Sequence, residues 1–158
     1  MTAQVAELLE PLTELLPLAS AMPDLVPLRR QRPELLSITE TISEQLNERP
    51  CLASGLWLYV DDLDRSHSIS QGLHTIEGAL WHAVMHRREG DFGNSKYWLR
   101  QAGDVSIFEA VYGNPFDFVD RVQRDHRQNP AELVELQRQE WLALFEFCTA
   151  NRAREGVE

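Results

Sequence analysis

The sequence predicts an all-α protein, a helical bundle with additional short helices. Apolar residues recur at the 3.6-residue helical period through most of the 158 positions. Prolines stand where helices open or break, at Pro33, Pro50, Pro115 and Pro130. No stretch of useful length alternates apolar and polar residues as a half-buried strand would. The length fits one domain covering residues 1–158, with 1–32 as an irregular helical arm and 33–152 as the bundle core.

The elements follow in order. Residues 2–19 are rich in leucine but contain Pro11 and Pro17, so they predict one broken helix or two short ones that serve packing. A loop follows at 22–32. Pro33 then opens a helix to about Asn47, with Leu35, Ile38, Ile42 and Leu46 on one face. Arg49-Pro50 breaks the chain, and the next helix is expected over 52–70, with Leu56, Val60 and Leu63 as its inward stripe and His67 continuing it. Asp61 and Asp62 lie off that stripe and are expected in solvent.

Thr75 is placed to cap a central helix over 76–89, antiparallel to the one before it. Gly78, one turn before His82, leaves room for a ligand or a close helix crossing. Gly90 and Gly93 bracket a loop that ends the central helix. Short helices are expected over 94–101, carrying Tyr97 and Trp98, and over 106–112. Asn114-Pro115 opens a segment to about Arg127. Asn129-Pro130 repeats that device for a final helix over 130–152, with Glu132 completing a capping box. Leu133, Leu136, Leu144, Phe147 and Cys148 form the buried stripe of this last helix, and Glu140 falls inside it.

Composition narrows the function. Hydrophobic residues make up 43% and charged residues 25% of the chain, which is ordinary globular usage. No apolar run approaches the roughly 20 residues of a membrane span. MTAQVAELLE has no basic segment leading into an apolar one, so a soluble, cytoplasmic protein is the expectation. A net charge of -10 disfavours nucleic acid and anionic membranes as partners. Cys51 and Cys148 stand far apart outside any CxxC pair, which argues against a cysteine-based zinc site and a disulfide framework. No GxSxG elbow, glycine-rich phosphate loop or dinucleotide fingerprint is present.

The chemistry concentrates in ALWHAVMHRRE, residues 79–89. At helical spacing His82, His86 and Glu89 lie within an arc of roughly 60°, one turn apart, so neighbouring side chains can reach one ion. Ile76, Leu80, Ala83 and Val84 occupy the other side and would hold the helix against a core. Four of the five histidines fall between His67 and His86. A metal reading takes His82 and His86 as imidazole ligands, His67 as the third, and Asp64, Glu89 or Glu140 as a carboxylate ligand or its support. In an antiparallel hairpin His67 need not reach His86, and a tilt would be required.

Zinc held by three nitrogens keeps a position for water and so suits hydrolysis of a small ester, a phosphoester included. Glu89 and Glu140 are then the candidate acid–base carboxylates, and Arg87 or Arg88 would neutralise charge developing on an anionic substrate. Two histidines with one carboxylate would instead suit ferrous iron and oxygen chemistry. A metal-free acid–base pair and a non-enzymatic protein-binding module stay open as well. An isolated HxxxH lacks the glutamate of the HExxH proteases. For Glu140, a salt bridge to Arg87 or Arg100 is the plain alternative.

The segment LWHAVMHRREGDFGNSKYWLRQAG, with SHSISQ before it and NPFDFVD and LQRQEW after it, resembles a family of small uncharacterised bacterial proteins. Their signature runs approximately YWHAIMHRRE, then NAKYWFRRVG. Leu80 replaces an aromatic, and Leu99, Gln101 and Ala102 depart from the pattern, whereas the histidines, the arginine pair and Glu89 match it. The resemblance carries no established activity, so it implies no mechanism.

Overall fold

The computed structural model describes residues 1–29 and 31–151. These form helices α1 (Ala3–Leu15), α2 (Leu36–Gln45), α3 (Pro50–Tyr59), α4 (Leu63–Ser70), α5 (Ile76–Arg88), α6 (Phe92–Ala102), α7 (Glu109–Tyr112), α8 (Pro115–Asp125) and α9 (Ala131–Ala150). Short 3-10 turns stand at Leu18–Ser20, Pro33–Leu35 and Ser106–Phe108, and no strand occurs among the described residues. The all-α prediction therefore holds. No described helix is long and apolar enough to cross a membrane.

The fold is built around α5. Every residue from Glu77 to Arg88 is buried, so the expected division into a packing face and an open face does not occur. α4 and α6 flank α5, while α3 and α9 also pack against it. One apolar cluster runs from Val5 and Leu9 of α1 through Leu56 and Trp81 to Phe145 and Cys148 of α9. Gly55 lets α3 approach closely, since a Cβ there would lie 2.5 Å from the Trp81 ring. The Trp141 indole N–H donates to the Gly55 carbonyl at 2.8 Å, so the same contact also satisfies a buried polar group.

Local cues hold in several places. The Gly78 N–H donates to the Thr75 hydroxyl at the start of α5, and the Phe116 N–H donates to Asn114 Oδ1 at 2.8 Å at the start of α8. Gly78 itself serves a close backbone approach, because a Cβ would meet the Leu73 carbonyl oxygen at 2.8 Å.

Other cues yield to tertiary contacts. Pro11 does not break α1. The backbone donor it lacks would have bonded the Glu7 carbonyl, and both residues are exposed, so water can take its place. The interruption falls at Pro17. The expected capping box at Asn129 and Glu132 does not form. Asn129 adopts a positive φ of 48°, and its side chain accepts the Leu25 N–H at 2.9 Å and donates to the Pro23 carbonyl. It pins the 22–25 loop, and Glu132 pairs with Arg121 instead.

The largest departure is in the expected 52–70 helix, which divides into α3 and α4. Asp61 sits at the break with a positive φ of 63°, an uncommon conformation for a residue with a side chain. Asp62 caps α4 by accepting the Arg65 N–H. Both aspartates are buried, at 3% and 5% exposure, contrary to the solvated positions expected for them. An ion pair with Arg88 explains the burial of Asp61.

Candidate metal centre

α5 carries His82 and His86 one turn apart, and the break at Asp61 turns α4 so that His67 meets both. The His67 ring centroid lies 4.8 Å from that of His82 and 5.2 Å from that of His86. His82 and His86 stack with centroids 4.7 Å apart. Their candidate ligand nitrogens all lie within 4.8 Å of one another. A tetrahedral zinc with bonds of about 2.05 Å needs nitrogens about 3.4 Å apart, so the near-parallel His82 and His86 rings would have to turn toward a common point to close around an ion. His82 and His86 are buried and His67 is half-buried, so His67 is the most exposed of the three.

One feature orients His86 and another keeps His82 neutral. His86 Nδ1 lies 2.6 Å from Glu89 Oε1. The carboxylate accepts, so Nδ1 donates and the lone pair is left on Nε2, the arrangement by which carboxylates orient metal-binding histidines. Burial first, and then the neighbouring His86 and His67, hold the His82 pKa down to about 4, so this ring is neutral at pH 7. His82 Nδ1 is also buried with no hydrogen-bond partner among the described residues. Trp98 of α6 stacks on His82 at 4.1 Å with 11° between the planes and fixes the ring from behind. Ser95, on the same helix, donates to the Ala83 carbonyl at 2.7 Å and holds α6 against α5.

Glu89, His86 and Asp91 form a second close group, with ligand atoms again within 4.8 Å of one another. Asp91 also caps α6 through the Asn94 N–H, the main reason its pKa falls below the usual carboxylate range.

The remaining sequence candidates stand elsewhere. Asp64 is exposed and belongs to neither close group. Glu140 is buried and accepts both terminal nitrogens of Arg87 at 2.6 Å each. It also accepts the Tyr112 hydroxyl at 2.7 Å. Of the alternatives open for Glu140, the bridge to Arg87 is the one that forms. Arg88 is fully buried, donating to Asp61 Oδ1 at 2.6 Å and to the Leu58 carbonyl at 2.9 Å.

Burial pulls against both guanidinium charges. For Arg87 the Glu140 carboxylate more than offsets it and the pKa rises, whereas for Arg88 burial outweighs Asp61 and the pKa falls. Neither arginine presents its charge to an incoming substrate, which corrects that part of the expectation. Both are instead consumed in holding α5 to α9 and to the α3–α4 corner. Trp98, Asp61 and Tyr112 carry roles that helical spacing alone did not reveal.

No family model matches the chain, and neither curated proteins nor solved structures give a significant match.

Proposed function

We propose that His67, His82 and His86 hold one divalent transition metal, zinc in preference to iron, and that the protein hydrolyses a small ester or phosphoester. The convergence of three imidazoles, one of them oriented by Glu89, is the observation that carries this reading. A zinc ion with three nitrogen ligands keeps a fourth position, where the pKa of a water falls to about 7. His86 receives its tautomer from Glu89, His82 is kept neutral by burial and held in place by Trp98, and His67 is the most exposed of the three. Arg87 and Arg88 contribute rigidity, so charge developing on the substrate would be met chiefly by the metal.

The decisive experiment is elemental analysis of untagged protein beside His82→Ala and His86→Ala, with hydrolysis of p-nitrophenyl acetate and bis-p-nitrophenyl phosphate assayed in parallel. About one equivalent of zinc in the wild type, with metal and activity lost together in both variants, is the expected result. Sub-stoichiometric metal with activity intact in both variants would eliminate the proposal. The nearness of Glu89 and Asp91 to His86 favours a second reading, ferrous iron with mixed nitrogen and oxygen ligands. Iron-dependent oxygen uptake would distinguish it.

A further inference from the structure

The corner that turns α3 into α4 also builds a pocket on the other side of α4. Arg65 and His67 are two residues apart on that helix, about 200° around its axis, so this pocket and the histidine cluster occupy different faces. Its volume is about 280 Å³, to be compared with the roughly 150 Å³ in which an apolar cavity holds benzene. Pro33, Leu36, Trp57 and Val60 supply an apolar wall.

Arg32 and Arg65 also line the pocket. Arg32 is tied through Nε to Asp61 Oδ2 at 3.0 Å, which leaves its terminal nitrogens as donors for a ligand. The Arg65 guanidinium lies over the Trp57 ring at 4.4 Å. Three carboxylates temper this charge, Asp61 on Arg32 and, on Arg65, Glu40 together with Asp62, which itself lines the pocket. Asp62 stands 3.7 Å from Arg65 Nε, and Glu40 stands 3.3 Å from its Nη1. Burial pushes the Asp62 carboxyl above its ordinary range. The nitrogens these acids leave over, the terminal pair of Arg32 and one of Arg65, can receive a single carboxylate on an otherwise apolar body, while a dianion would meet the three acids.

We propose that this pocket binds a small monocarboxylate with a flat apolar body, its carboxylate received by Arg32 and Arg65 and its body lying against Pro33, Leu36 and Val60. The site is independent of the metal reading, because none of the three histidines lines it.

Benzoate is the test ligand, titrated by calorimetry and by protein-observed NMR, with benzamide as its neutral isostere. Saturable benzoate binding is expected, weakened at least about tenfold by Arg32→Gln and by replacing benzoate with benzamide, since each removes a charge-assisted hydrogen bond. Leu36→Trp, which fills the cavity and leaves both arginines in place, should abolish binding. His86→Ala should leave it unchanged, so failure of the metal reading and failure of this one are separable. Equal affinity for benzoate and benzamide, unchanged benzoate binding in the Arg32→Gln/Arg65→Gln double variant, or no binding by the wild type would each overturn the proposal.

Discussion

His86 and Glu89 are joined across a single helical turn, Nδ1 to Oε1 at 2.6 Å, where α5 ends. Because this bond sets which ring nitrogen carries the lone pair, Glu89→Gln should weaken zinc affinity about 10–100-fold while leaving helix content unchanged. Competition against a chromophoric chelator would measure it. Unchanged affinity would mean that the carboxylate does not orient a ligand.

The metal-free protein should lose stability on mild acidification. His82 holds its proton only below about pH 4 in the folded chain, against about 6.5 when unfolded. Between these values the unfolded state binds more protons, so stability falls as pH drops from about 6.5 to 4 and is level above that window. The loss is at most on the order of 3 kcal/mol. Urea denaturation of chelator-treated protein at pH 7 and pH 4.5 would measure it, and His82→Phe should flatten the dependence.

Glu140→Ala would leave Arg87 charged, buried and unpaired, at a cost of about 3–5 kcal/mol. Replacing both partners, with Arg87→Met and Glu140→Leu, should cost much less than the single change. Denaturant midpoints of the two variants give the comparison, and equal losses would contradict it.

Gly55→Ala should destabilise by about 1–3 kcal/mol through overpacking against Trp81, measured as a lowered thermal midpoint. The new methyl would approach that ring to 2.5 Å. A variant as stable as the wild type would show that α3 can withdraw without penalty.

The helices were legible because their signals are local. Thr75 and Asn114 announce starts with side chains that bond the backbone three or fewer residues on. The pairing of His82 with His86 was legible for the same reason. The arrival of His67 was not, since it depends on Asp61 taking a positive φ, and a DDLD segment reads as a polar surface. The bridge from Arg87 to Glu140, 53 residues away, was legible as one alternative because Glu140 falls on an apolar stripe. The pairing of Arg88 with Asp61, 27 residues away, was hidden because Asp61 reads as solvated. Trp98 sits on an ordinary amphipathic helix, and no neighbour in sequence indicates that it covers a histidine.

The adjacent arginines of α5 also bear on how the chain is made. A ribosome releases residue 88 well before residue 140, and until then Arg87 lacks the carboxylate that permits its burial. The nascent chain must therefore keep this segment hydrated, and the histidine-bearing helix can settle only once the last helix has emerged. A truncated product ending before residue 131 should accordingly be degraded or captured by chaperones.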